Sequence, residues 1–213
     1  MKNTVCHQLL VVITTLSIIV SCSTPQTDIP DNPENVSPLL IGSEVPDITL
    51  SDPEGEMVSL SGVAGQNTLI VFYRGGWCPF CSAELSAITE IEDDLYEKGI
   101  TIVGISPDSP GYLKESLNDP DTEFTLLSDS DMKASRAFGI AFKEREETVA
   151  QLKENGMDIE QRSGRDHHLL PVPAVFLINE EGRIEFQYVN PNYKERISHN
   201  ILMEAANAML DGY

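Results

Sequence analysis

The chain carries four cysteines. Two of them, Cys78 and Cys81, stand three residues apart in "RGGWCPFC", beside Trp77, the single tryptophan. A thiolate is the nucleophile that cysteine offers, and two thiols at this spacing can close into a disulfide or share a metal. Which of these applies depends on the elements that hold them. "TLIVFY" (68–73) is a continuous apolar run, the pattern of a strand buried on both faces of a parallel sheet. After Cys81, the residues Leu85, Ile88, Ile91 and Leu95 recur at helical spacing, with Gly99 placed to cap the helix. The pair therefore lies where a buried strand gives way to a helix.

That position has electrostatic consequences. Free backbone N–H groups and the positive end of the helix dipole stabilise a thiolate at Cys78 and lower its pKa. Pro79 suits the first helical position, where its missing N–H costs nothing. One helical turn brings Cys81 back beneath Cys78. Cys78 is thus the expected nucleophile, Cys81 the more buried resolving thiol, and a Cys78–Cys81 disulfide the product. A purely structural bridge is the weaker reading, because closing so short a loop restricts little unfolded-chain entropy. A zinc site completed by His167 and His168 is another alternative, although adjacent histidines lack zinc-module spacing. Otherwise these two are loop residues, with His168 a candidate to tune the thiolate. Arg74 reads first as a solvated residue at the strand end and otherwise as a source of positive potential near Cys78, and Trp77 as a shield for the pair and part of a substrate surface, or as plain packing.

The remaining elements alternate. Ile48–Leu50 and Met57–Leu60 flank a "DPEG" turn and read as a hairpin. "ITIVGISPD" (100–108) is a second buried strand, followed by a short helix at 110–117, a strand at "FTLLSD" and a helix at "MKASRAFGI". The run 143–156 is a solvent-facing helix capped by Gly156, and "MDIEQRSGRDHH" a polar loop. "AVFLINEEGRIEFQYVN" (174–190) is a strand–turn–strand unit. The tail is an amphipathic helix with Ile197, Ile201, Met203, Ala205 and Met209 on one side. The expected class is α/β, a mixed central sheet flanked by helices with an N-terminal hairpin.

At the N-terminus, Lys2 precedes an apolar run from Leu9 to Val20, a length that fits a secretory signal. Residues 1–21 read as a signal peptide, and "IIVSC" as a lipoprotein cleavage site with Cys22 lipidated; an ordinary cleaved signal is the alternative. Residues 22–40 read as a Pro- and acid-rich tether, and 41–213 as one domain. The formal charge of −20 argues against nucleic-acid binding. With Cys6 in the signal and Cys22 acylated, Cys78 and Cys81 are the remaining thiols, in a disulfide-permissive compartment.

The segments "GSEVPDITLSDPEGEMVSL", "VFYRGGWCPFCSAEL", "FTLLSDSDMKASRAFGI" and "LPVPAVFLINEEGRIEFQYVNPNY", in this order, resemble the AhpC/TSA peroxiredoxin-like family of the thioredoxin superfamily, in its Cys-x-x-Cys group. The resemblance implies a thioredoxin-like fold with the N-terminal hairpin and thiol-based reduction of peroxides or disulfides. Against the trans default of X–Pro bonds, it favours a cis-proline at Val172-Pro173, set against the active pair and presenting backbone to substrate. It implies no cofactor and an external thiol donor such as a thioredoxin-like protein. The chain departs from the family's Pro-x-x-x-Thr/Ser-x-x-Cys pattern. With Cys81 as the peroxidatic residue the hydroxyl and proline places hold Cys78 and Arg74; with Cys78 they hold Gly75 and Val71. Where many relatives carry arginine ahead of the late strand, this chain has Val172-Pro173. Peroxide and disulfide thus stand as competing substrates, and a non-enzymatic metal- or partner-binding lipoprotein as the reading from another class. The expected location is the bacterial envelope, on the outer membrane facing the periplasm.

Overall fold

A computed structural model of the chain describes residues 28–116 and 123–212. The signal peptide, Cys6 and Cys22 lie outside them. A seven-stranded sheet forms the centre. Its middle is three parallel strands, β3 (Thr68–Phe72), β4 (Thr101–Ser106) and β5 (Thr125–Ser128). β8 (Ala174–Ile178) runs antiparallel beside β3, and β9 (Ile184–Val189) beside β8. At the other side the N-terminal hairpin, β1 (Thr49–Ser51) and β2 (Met57–Ser59), joins β5 through β1. The order β2-β1-β5-β4-β3-β8-β9 makes the sheet mixed, as the sequence predicts.

β3 is buried along its whole length, and its alternation splits the core in two. Ile70 and Phe72 face one layer with Val103, Ile105, Phe138 and Phe176. Helices α1 (Leu60–Val63) and α5 (Lys133–Ala137) lie on that side. Leu69, Val71 and Tyr73 face the other layer, under α2 (Pro79–Thr89), α3 (Glu92–Glu97) and α8 (His199–Asp211). Cys78 and Cys81 belong to this second layer.

Several elements depart from expectation. The helix after the cysteines is two helices, because the Ile91 N–H bonds Ile88 only three residues back and Thr89 Oγ1 turns onto the Leu85 carbonyl. The polar loop holds a helix, α7 (Ile159–Ser163), started by Asp158 accepting from the N–H groups of Glu160 and Gln161 and ended by Gly164 in the left-handed region. It follows α6 (Glu146–Glu154). A two-stranded ribbon, β6 (Ala141–Lys143) with β7 (Leu169–Pro171), was not legible, since its partners lie far apart in sequence. Beyond β4, α4 (Pro110–Leu113) passes into a 3₁₀ turn at Lys114–Ser116. On α8 the fully buried residues are Leu202 and Ala206, while Ile201 points to solvent at 58 % exposure. The stretch from Asp28 to Leu40 lies on the domain instead of hanging free. Pro30 accepts from Lys143 N–H, the Ser37 and Leu39 N–H groups donate to Gly139 and Phe138, and Ile29 packs on Met132, Ala141 and Leu169.

Phe138 sits 4.9 Å from Phe72 and 5.0 Å from Phe176, ring centre to ring centre, and is fully buried. Phe138→Ala removes the middle of this cluster and should cost about 3–5 kcal/mol. Urea unfolding followed by circular dichroism measures it.

Candidate active site

The loop from β3 to α2 is shaped by two glycines. Gly75 has φ +135°, and a Cβ there would lie 2.4 Å from Trp77 Nε1. A Cβ on Gly76 would lie 2.9 Å from the Ser116 Cα. The loop is also tied from below. Gly76 N–H donates to Asp108 Oδ2 at 2.8 Å, and Asp108, 1 % exposed, is gripped by Arg162 through Nε (2.9 Å to Oδ1) and Nη2 (3.1 Å to Oδ2). Arg162 also donates to Glu115 and lies over the Tyr112 ring. The Tyr73 hydroxyl donates to Ser116 Oγ at 2.9 Å, which braces the residue against which Gly76 packs. Sequence reasoning passed over Asp108 and Arg162.

Cys78 is the N-cap residue of α2, with extended backbone (φ −88°, ψ 113°) and Pro79 in the first turn. Both thiols are free and both are buried, Cys78 at 1 % and Cys81 at 0 % exposure. By exposed surface the two are nearly alike, with Cys81 the deeper. The two differ in environment. The S–H and backbone N–H of Cys81 face the Cys78 sulfur, and against the opposing cost of burial they lower its pKa from 9.0 to about 6, helped by Arg74 and Arg196. Cys81 is raised, first because its proton serves Cys78 and then by burial. The opposed shifts favour Cys78 as the thiolate and Cys81 as the thiol that keeps its proton.

Two guanidiniums flank the pair. Arg74, at the end of β3, is 5 % exposed, stacks 4.5 Å from the Tyr193 ring and 5.3 Å from that of Trp77, and reaches Glu144 at 3.4 Å. Its Nε has no hydrogen-bond partner among the described residues. The solvated arginine of a strand end is therefore not what the structure holds. Arg196, in the segment between β9 and α8, places Nη2 3.5 Å from Cys81 Sγ and Nε 2.8 Å from Glu84 Oε2. Neither Arg196 nor Glu84 stood out in the sequence: one lies 115 residues from Cys81, and the other reads as an ordinary helical acid. A weak signal was available for Glu84, since it follows Cys81 by one turn and so shares its buried face.

Arg74 also lines a cavity of ≈ 560 Å³, together with Val172, Pro173, Tyr193, Phe142 and Arg145. The Val172-Pro173 peptide is trans, not cis as the resemblance implied. Val172 N–H donates to Ile140, and the Pro173 carbonyl accepts from Asn190. Both histidines are engaged away from the sulfurs. His167 Nε2 contacts the Ser130 carbonyl at 2.9 Å and its Nδ1 accepts from Leu169 N–H, while burial lowers its pKa. His168, in the left-handed region at φ +55°, sits between Glu146 (3.0 Å from Nδ1) and Glu160 (2.7 Å from Nε2), which raise its pKa. The largest cationic influences on Cys78 are Arg74 and Arg196, not His168.

The family model AhpC/TSA matches residues 41–187. The chain belongs to the AhpC/TSA family. Peroxiredoxin Bcp of Bacillus subtilis is 30% identical over 161 residues, 74% of this chain and 90% of that protein. Peroxiredoxin Bcp of Escherichia coli is 33% identical over 105 residues, 49% of this chain and 67% of its own length. Peroxidoxin BcpB of Mycobacterium tuberculosis superposes with a TM-score of 0.59 at 21% identity, covering 80% of this chain and 96% of that one, a likeness of fold. As an AhpC/TSA protein with a thioredoxin-like fold, the chain is a thiol-based oxidoreductase of the peroxiredoxin kind.

Two titrations test the site. Alkylation of Cys78 should rise through about pH 6 and level off by neutrality, and Arg74→Gln should move that midpoint upward. For His168 the folded pKa lies above its ordinary value near 6.5. The His168 clasp is therefore fully present below that value and is lost as pH rises through the raised one. Protection factors of amides in α6 and α7, with the intrinsic base-catalysed rate divided out, should fall over that interval in the native protein and change little with pH in His168→Gln.

Proposed function

We propose that this protein reduces peroxides through the Cys78/Cys81 pair and is restored by an external thiol donor such as a thioredoxin-like protein. The observation that carries the reading is the opposed pair of thiols at the start of α2, with Cys78 lowered toward its thiolate and Cys81 held protonated. The Cys78 thiolate attacks the near oxygen of the peroxide, the O–O bond breaks, and an alcohol or water leaves with a proton. Cys78 is now a sulfenic acid. Cys81 attacks its sulfur, water departs and the Cys78–Cys81 disulfide closes. Trp77 and Pro79 frame the pair, and Arg74 is the cation that faces both the thiolate and the cavity bordered by Val172 and Pro173.

One observation favours a second oxidant. Neither register supplies the family's hydroxyl, whereas the two free thiols that thiol–disulfide exchange needs are present at the start of α2. A protein disulfide is the alternative substrate.

For location, "IIVSC" supports a lipid anchor at Cys22 that would hold the enzyme in the bacterial envelope, on the outer membrane facing the periplasm. Among the described residues no helix is long and apolar enough to cross a membrane.

Cys78→Ser should abolish thiol-coupled turnover of hydrogen peroxide. Cys81→Ser should keep one-turnover consumption but accumulate the sulfenic and then sulfinic forms, read by mass spectrometry. Turnover of a disulfide substrate with none of peroxide would transfer the assignment to exchange.

A further inference from the structure

Arg196 and Glu84 form a buried pair that the reaction above leaves unused. Their side chains are 12 % and 4 % exposed. Although Arg196 Nε and Glu84 Oε2 approach to 2.8 Å, neither atom completes a directed hydrogen bond, so charge rather than alignment holds them. The same guanidinium turns Nη2 toward Cys81 Sγ at 3.5 Å. One cation thus serves two groups able to become anions, Glu84 and Cys81, one turn apart on α2. In so dry a place a second anion would have to share Arg196, because Arg74, the other cation beside the pair, already faces Glu144 at 3.4 Å. The other charged or titratable groups here are Arg74, Cys78, which no longer carries the thiolate charge once its sulfur bears the hydroxyl, and Tyr73, whose hydroxyl burial keeps protonated.

We propose that Arg196 is the catalytic cation of the resolving step and that Glu84 positions it as a competing counter-anion, so that Cys81 becomes a thiolate only as Glu84 takes up a proton. The proposal rests on the peroxide-reducing reading of the pair. Cys81 S–H loses its proton as the Glu84 carboxylate gains one, and Arg196 changes partner with no change in the site's net charge. The Cys81 thiolate then attacks the sulfenic sulfur of Cys78. The S–S bond forms as the S–O bond breaks, and the hydroxide leaves as water with the proton returned by Glu84. Cys81 is oxidised and the Cys78 sulfur reduced, with peroxide the oxidant already consumed. Burial places the Glu84 carboxyl at about 7, where a proton can be exchanged under neutral conditions.

The exchange has a kinetic signature. Below about pH 7 the reactive state carries one proton fewer than the resting state, so resolution speeds up with pH. Above it, both states carry one proton between Glu84 and Cys81, so resolution stops depending on pH. Rapid mixing of the reduced protein with one equivalent of hydrogen peroxide, followed through Trp77 fluorescence and checked by acid quench, separates sulfenic-acid formation from disulfide closure. The native second phase should rise toward pH 7 and then flatten. In Glu84→Gln it should keep rising about tenfold per pH unit, becoming about tenfold faster than native at pH 8. Arg196→Gln should slow closure across the range, and Arg196→Lys should restore part of it. Superimposable profiles for native and Glu84→Gln protein overturn the proposal, as does unchanged closure in Arg196→Gln, a variant that keeps the test open if Glu84→Gln does not fold. Absence of the first phase in native protein sinks the peroxide-reducing reading itself.

Discussion

A sulfur anion held out of water is the condition around which the rest is arranged. Cys78 is 1 % exposed and still sits low enough in pKa to be ionised at neutral pH. Burial opposes ionisation, so the opposing groups must act at close range. They are the Cys81 S–H and N–H, supplied by the first turn of α2, and the guanidiniums of Arg74 and Arg196, supplied by distant parts of the chain. The sheet order explains how such remote groups meet. β3 is central, β4 and β8 flank it, and the segment after β9 returns across the face that α2 covers. The same face collects Tyr73, Leu85 and Leu202, so the cations are fixed by an apolar layer that has little room to shift.

The clamp on Gly76 belongs to the same arrangement. A helix N-terminus stabilises an anion only if the first turn holds its aim, and this loop contains two glycines with little stiffness of their own. Asp108 provides the anchor, and Arg162 compensates its buried charge with two contacts. An unpaired Asp108 would be costly in that place, so the loop's geometry and the charge of α7 are coupled. The helix that sequence reading took for a polar loop therefore reaches the active site through a single arginine.

What could be read from the sequence was local. The cysteines, Pro79 and the apolar run of β3 lie within 14 positions, and periodicity with capping chemistry places them on a strand end and a helix start. The sheet's mixed character followed from the same kind of signal. Arg196, Glu84, Asp108 and Arg162 were not legible, because nothing in their neighbourhoods marks them off from surface charges. Their roles come from contacts across 115 positions in one case and 54 in another. The β6–β7 ribbon failed for the same reason, and α7 because its cap signals, Asp158 and Gly164, enclose five residues without apolar periodicity. The cis proline was expected from resemblance alone, and the trans geometry of Val172-Pro173 shows how far that inference reached.

The missing hydroxyl can now be weighed against what replaces it. In either register of the family pattern the residue three positions earlier offers no oxygen, Cys78 in one case and Gly75 in the other. Charge stands nearby instead. Arg74 has an unpartnered Nε, stacks between Tyr193 and Trp77, and opens onto the cavity, so it can receive a polar oxygen that a threonine would otherwise hold. Charge-assisted hydrogen bonds from a guanidinium are stronger than those from a neutral hydroxyl, and they favour the transition state, in which negative charge moves onto the leaving oxygen. Glu144 lies 3.4 Å from Arg74 and lines the same cavity. The loss of the hydroxyl therefore leaves peroxide chemistry available, with the burden moved from a neutral donor on the loop to a cation at the end of the strand.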